Sequence, residues 1–370
     1  MLQPIKYYHY IRNNLKREPF AKYHLYVFCL FLSIAFSAPY LAFKPQEHAI
    51  LLPLIPYDAG KTNPEEKLMN PFGKQIHKSW YRRHWFGTDP LGRDIAAGVI
   101  AGTRTALIVG FGAVTVAAVI GLFMGLASGY YGDDRYRMAR RCVLLWAIGW
   151  SFALFYINIF AHEEINRMRF WSQSFGIILL IYIILRILEK LILSIKHNPV
   201  IWILPIDYYV MRSIDLLQAI PFYIILLGIM PFIKQKSVLN VILIIGCVTW
   251  MPIARQVRTQ TLRLRDKVFI QNAEALGYET WRIWFLHLIP NLLTPLLVVM
   301  SFGVANAIMA ESMLSFLGVG LEQSIVTWGS ICQVAREQPS HWWLAIFPSG
   351  AILVTVLIFN WLGEHLKELK

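Results

Sequence analysis

"QNAEALGYETWRIWFLHLIPN" (residues 271–291) interrupts an otherwise oily chain with a polar run, one glycine, two tryptophans and a proline. The stretch reads as a helix, a bend and a second helix. Asp266 is placed to cap the first helix, and Gly277 stands where a left-handed residue would end it after about three turns. Beyond the bend, Trp281, Trp284, Phe285 and Leu288 recur at i, i+3, i+4 and i+7, a stripe suited to a membrane interface. Pro290 then opens the next apolar run at a position where a missing N–H does little harm. The spacing predicts a short rigid helix projected between two membrane spans.

The surroundings support that setting. Of 370 residues, 56% are hydrophobic and only 15% charged, with 13 Trp and a mean hydropathy of +0.49. Such a composition indicates a polytopic membrane protein, because a span needs roughly 20 mostly apolar residues to cross about 30 Å of hydrocarbon. Eight segments qualify: 24–43, 104–130, 142–160, 173–194, 213–233, 237–254, 289–310 and 342–363. The long basic leader and poor cleavage pattern around "AFSAPY" make the first of these a retained span rather than a signal peptide.

Lys and Arg gather before the first span, at Arg135–Arg141, between Arg255 and Arg282, and at the C-terminus, which predicts both termini inside. The intervening short loops carry few basic residues, and the loop of residues 44–103 is too long for its charges to count strongly. The net charge of +13 is therefore spread over membrane boundaries. Anionic lipid and an intracellular protein partner account for it better than nucleic acid does.

Three domains are expected: 1–43 with the first span, an outside loop at 44–103, and a membrane domain at 104–370 interrupted at about 135–206 by an inserted pair of spans. In the second span, Gly121, Gly125 and Gly129 form a flat stripe that permits close approach of another helix, within the chain or from a second chain.

Catalytic signatures are missing. Gly60-Lys61-Thr62 lacks the glycine that a phosphate loop needs, Ile55 standing there instead. Cys29, Cys142, Cys247 and Cys332 have no metal spacing and read as small hydrophobes. His77 and His84, near Asp89, read as solvated loop residues before they read as metal ligands. Arg104 is placed to snorkel to the interface.

Three stretches carry a family resemblance. The loop "NAEALGYETWRIWFLHLIPN" is similar to the cytoplasmic Glu-Ala-Ala loop of the inner-membrane permease subunits of binding-protein-dependent ABC importers, specifically the C-type subunit of dipeptide and oligopeptide permeases. "HWFGTDPLGRD" (84–94) resembles the segment before that family's second span. "AESMLSFLGVGL" (310–321) with Thr327-Trp328-Gly329 resembles the one after its fifth, and "FPSGAILVTVLIFNWLGEHLKE" also fits. The matches cover 84–134 and 207–368.

The resemblance implies an all-α, type I importer permease core with an N-terminal span and two extra spans, located in a bacterial inner membrane. It implies that Gln271, Ala273, Glu274, Ala275, Leu276, Gly277 and Pro290 serve a coupling helix seated on an ATPase. It also implies that Phe86, Gly87, Thr88, Asp89, Gly92, Arg93, Asp94, Ser315, Phe316, Leu317, Gly318, Gly320, Trp328 and Gly329 lie near an outer mouth. The partners expected are a second permease, two ATPase subunits holding ATP and Mg, and an extracytoplasmic binding protein, with no cofactor on this chain and di- or oligopeptides as cargo.

Two departures stand out. Gln271-Asn272-Ala273 replaces Glu-Ala-Ala, and about 70 residues separate "GYYGDD" from Asp207–Arg212 where the family passes almost directly. The competing reading is a self-sufficient channel or proton-coupled carrier, for which Arg104, Arg186, Lys190, Asp215 and Glu311 are the ionisable candidates.

Overall fold

The computed structural model describes residues 55–73, 75, 83–139, 182–185, 187, 201–233, 235–322 and 324–368. The expected spans at 24–43 and 142–160, nearly all of 173–194, and His77 lie outside them. Residues 131–210 form one compact unit and the remaining described residues another.

The larger unit is helical. Helix α1 (Ile95–Tyr131) is followed after the smaller unit by the end of α2 (Ile206–Gln218), then α3 (Phe222–Ile229), α4 (Val238–Thr249), α5 (Met251–Arg265) and α6 (Val268–Ala275). A short α7 (Thr280–Ile283) leads through a π-helical turn, Trp284–Leu288, into α8 (Ile289–Phe316), and α9 (Trp328–Glu337) and α10 (Trp343–Glu368) complete the chain.

Among the described residues, three helices are long and apolar enough to span a membrane, at Ile95–Tyr131, Thr280–Phe316 and Trp343–Lys367. The count reaches five if each of two bent pairs is one span. Five of the eight expected spans fall among the described residues, and the other three lie wholly or largely outside them. The expected span at 213–233 is broken by 82° between α2 and α3. Pro221 disfavours the helical conformation in Ile220 and cannot donate to the preceding turn. The expected span at 237–254 bends by 45° at Trp250 and continues to Arg265, with Pro252 in the first turn after the bend.

The core joins α1, α3, α4, α8, α9 and α10 through Val109, Ala113, Leu226, Ile245, Ile308, Trp328 and Phe359. Between helices in lipid, close packing rather than water exclusion supplies the attraction, so small residues sit at the tightest crossings. Phe111 meets Phe359 edge-on.

The smaller unit contains a ribbon of two three-residue strands, an exception to the all-α expectation. Strand β1 (Arg137–Ala139) pairs antiparallel with β2 (Ile201–Ile203) in the register Arg137↔Ile203, Met138↔Trp202 and Ala139↔Ile201. The Leu204 amide donates to the Tyr136 carbonyl at 2.9 Å, and the Asp207 amide to the Gly132 carbonyl at 3.3 Å.

Candidate functional site

The first candidate site is built from α5 to α8. Helix α6 ends in a two-bond Schellman motif: the Tyr278 amide donates to Ala273 O at 3.1 Å and the Gly277 amide to Glu274 O at 2.9 Å. Gly277 takes φ +75°, and a Cβ placed there would meet nothing within 4 Å. The glycine is therefore required by backbone conformation and not by crowding. Ile270 and Ala273 are buried and fasten α6 to the body, whereas Val268 and Leu276 are 69% and 73% exposed. Gln271 and Ala275 are also exposed, Glu274 half-buried and Pro290 exposed.

Two local expectations are corrected. Asp266 does not cap α6: it ends α5, and the residue before α6 is Lys267, which makes no side-chain cap. The bond from the Lys267 amide to Leu264 O closes a tight turn before the capping position is reached. The aromatic stripe is also divided. Trp281 and Phe285 are exposed while Leu288 is fully buried, and Trp284 meets Tyr130 edge-on. The π-helical turn is the reason: its wider winding rotates Leu288 away from the direction that 3.6 residues per turn would give, just before Pro290 withholds a donor. His287 lies beneath the bend, stacked with Tyr278.

The glycine stripe of α1 faces α5 of the same chain. Cβ atoms on Gly121, Gly125 and Gly129 would stand 2.8, 2.6 and 2.7 Å from atoms of Ile253 or Trp250, Ala254 and Thr261. Arg265 Nη1 donates to Gly129 O at 3.3 Å. Asp215 on α2 pairs with Arg255 on α5 at 2.6 Å.

The second group converges elsewhere in the fold, around the start of α1 and the turn from α8 to α9. Asp94 caps α1, accepting from the Ala97 amide at 2.7 Å. Asp89 accepts from the Leu91 and Arg93 amides and from Arg93 Nε at 2.7 Å. Gly92, at φ +75°, passes so close to Asn63 that a Cβ would lie 1.8 Å from its carbonyl oxygen. Phe86 stacks on Phe347, with 4.0 Å between ring centroids. Gly87 also has positive φ, and the Thr88 carbonyl accepts from Trp343 Nε1 at 3.1 Å.

The expectation that His84 is solvated is overturned: it is 1% exposed. Its Nδ1 contacts Asp94 Oδ2 at 2.6 Å, its Nε2 contacts Glu66 Oε2 at 2.8 Å, and its ring stacks on Tyr57. Two carboxylates reaching it from Glu66 and from the cap of α1 draw the ring inside, a pairing that sequence distance hides. Among the described residues, no group of three or more His, Cys, Asp and Glu is arranged to hold a metal.

At the other end of this group, Glu311 is buried and accepts from Ser315 Oγ at 2.7 Å. Leu317 and Gly318 close α8 in another Schellman motif, with Val319 N to Leu314 O and Gly318 N to Ser315 O both 3.0 Å. A Cβ on Gly329 would meet Ser312 O at 2.2 Å, and one on Gly320 would meet Ser315 Oγ at 2.3 Å. Trp328 is buried, and its Nε1 donates to Val99 O at 2.8 Å. Phe316 packs under the Arg336 guanidinium. Sequence reasoning did not single out Glu66 or Trp343, since only the folded backbone brings them to His84 and Thr88.

Long apolar helices, two bent helix pairs and a short Schellman-closed helix between spans are the features with which any likeness to known proteins must agree. Residues 204–368 match the family described as "binding-protein-dependent transport system inner membrane component". The chain is 27% identical over 356 residues to the dipeptide transport system permease protein DppC of Alkalihalophilus pseudofirmus, covering 96% of this chain and 86% of that protein. It is 36% identical over 164 residues to the oligopeptide transport system permease protein OppC of Salmonella typhimurium, covering 44% of this chain and 54% of that one. It is 27% identical over 342 residues to the glutathione transport system permease protein GsiD of Pectobacterium atrosepticum, covering 92% and 82%. The family match and these similarities support the reading of the chain as an inner-membrane permease component of a binding-protein-dependent transporter.

Proposed function

We propose that the chain is one permease subunit of an ATP-driven importer of di- or oligopeptides, and forms half of the translocation path. The peptide cargo is suggested by the names of the relatives. Its partners are a second permease, two cytoplasmic ATPases that bind ATP with Mg, an extracytoplasmic binding protein and the surrounding lipid. Both termini face the cytoplasm, and residues 84–94 with 315–329 brace the outer mouth.

The observation that carries the coupling role is α6 itself. Buried Ile270 and Ala273 hold the helix to the body, while Val268 and Leu276 are largely exposed and Phe269 is partly so, tilted against His287. A short helix fixed at its base and apolar at its tip suits a groove on another protein. Because Gly129 seats on α5, motion of α5 and α6 is transmitted to α1 through a contact with no slack.

The test is to extract the tagged chain in mild detergent from its native membrane and identify its companions by mass spectrometry, with and without Gly277→Val. Copurification of a homologous permease and an ATPase, with only the ATPase weakened by the substitution, is the expected result. A chain recovered alone or as a homomer refutes the importer reading and favours a self-sufficient carrier.

A further inference from the structure

Both helix breaks in the larger unit open onto one cavity of about 470 Å³, within the roughly 300–1,000 Å³ range of small-molecule sites. The α2–α3 corner contributes Gln218 and Phe222, and the α4–α5 bend contributes Thr249 and Pro252. Phe302 and Asn306 reach it from α8. Breaks in spanning helices free backbone groups from their ladders, and irregular backbone at membrane depth is tolerated where it is buried in protein or lines an aqueous space. In transporters built from discontinuous helices, such breaks mark where cargo passes.

The lining chemistry narrows what the cavity accepts. Among the described residues, its lining includes no Asp, Glu, Lys, Arg or His. Its polar side chains include the amides of Gln218 and Asn306, both exposed, and neither has a hydrogen-bond partner among the described residues. Exposed in the cavity and unbonded, these two side chains are free to bond water or a polar guest. An amide offers both donors and an acceptor, matching a peptide group, which also presents one of each. Apolar walls beside them accept side chains by contact alone, and the absence of fixed charge admits acidic and basic residues without preference.

We infer that this cavity is the chain's own contact with the cargo, with Asn306 and Gln218 bonding the peptide backbone and Phe222 and Phe302 flanking its side chains. The inference rests on the peptide-import reading above and adds the residues that touch the peptide. It also assigns selectivity: this wall reads the peptide backbone and, carrying no fixed charge among its described residues, does not favour acidic over basic side chains.

The experiment uses the complete importer, with its partner permease, ATPases and binding protein, in proteoliposomes supplied with tritiated trialanine. Asn306→p-benzoylphenylalanine and, separately, Gln218→p-benzoylphenylalanine are illuminated during turnover, with Leu353→p-benzoylphenylalanine on α10 as the control outside the cavity. The expected result is ATP-dependent transfer of tritium to the chain from positions 306 and 218, lost when the binding protein is omitted and absent at 353. Uptake that proceeds without labelling at 306 or 218 overturns the inference and leaves the importer reading standing. Capture of phospholipid in place of peptide at both positions also overturns it, making the cavity a lipid niche. If the unmodified complex binds its partners but takes up no di- or tripeptide, the peptide reading itself fails and the inference falls with it.

Discussion

The Tyr208 amide donates to the Asp133 carboxylate at 2.9 Å, across 75 positions of sequence. With the β1–β2 ribbon and the bond from Asp207 to Gly132, this contact brings together the two ends of the segment that separates "GYYGDD" from Asp207–Arg212. An insertion whose ends meet adds length without forcing its flanks apart. Replacing residues 140–200 by Asn-Gly, which closes a two-residue hairpin onto β1 and β2, should leave assembly intact. Copurification of the partner permease and ATPase with the shortened chain checks this. A stable shortened chain that no longer binds the ATPase would give the insert a docking role.

Gly277 separates conformation from crowding. Gly277→Val should cost about 1–2 kcal/mol of local stability through the left-handed backbone alone, and Gly277→Asn much less, since Asn tolerates that region. Peptide uptake per ATP hydrolysed should fall with Val and be largely kept with Asn. Equal loss with both would show that the bare glycine surface matters rather than its φ.

Gly125 and Gly228 form a matched pair. Gly125→Leu drives a side chain into Ala254 O and Val257 and should destabilise by about 1–3 kcal/mol or more. Gly228→Ala meets nothing within 4 Å and should be neutral or stabilise α3 by about 0.5–1 kcal/mol. Thermal unfolding in detergent, followed by tryptophan fluorescence, reads both.

Removing the His84 ring strands a buried carboxylate. His84→Leu leaves Asp94, which is 3% exposed, without its imidazole partner and should cost about 3–5 kcal/mol. In the Asp94→Asn background the same substitution should cost markedly less, because the carboxylate then left without the ring is only that of Glu66, which is the more exposed of the two. Equal costs in the two backgrounds would make His84 a packing residue only.

Cys332 has its thiol pKa pushed up, chiefly by burial, with the contact to Ser349 Oγ at 3.6 Å opposing the shift. Burial disfavours the thiolate, so alkylation by iodoacetamide should rise only above the ordinary thiol range. Ser349→Ala should move that rise further toward alkaline pH. The measurement is the pH profile of labelling with Cys29, Cys142 and Cys247 replaced by Ala.

Local chemistry made much of this protein readable from its sequence alone. Apolar runs identified membrane helices, Gly277 marked a left-handed helix end, and the spacing of Gly121, Gly125 and Gly129 marked a face for close approach, because each signal acts within a few turns of one helix. The tertiary structure decided what distance in sequence conceals. It chose α5 as the partner of the glycine stripe, enclosed His84 between Glu66 and Asp94, and turned Leu288 inward while Trp281 stayed exposed. It also broke two expected spans and directed both breaks to one cavity. Periodicity records which residues share a face, whereas the identity of the surface opposite that face depends on how separate helices fill space together.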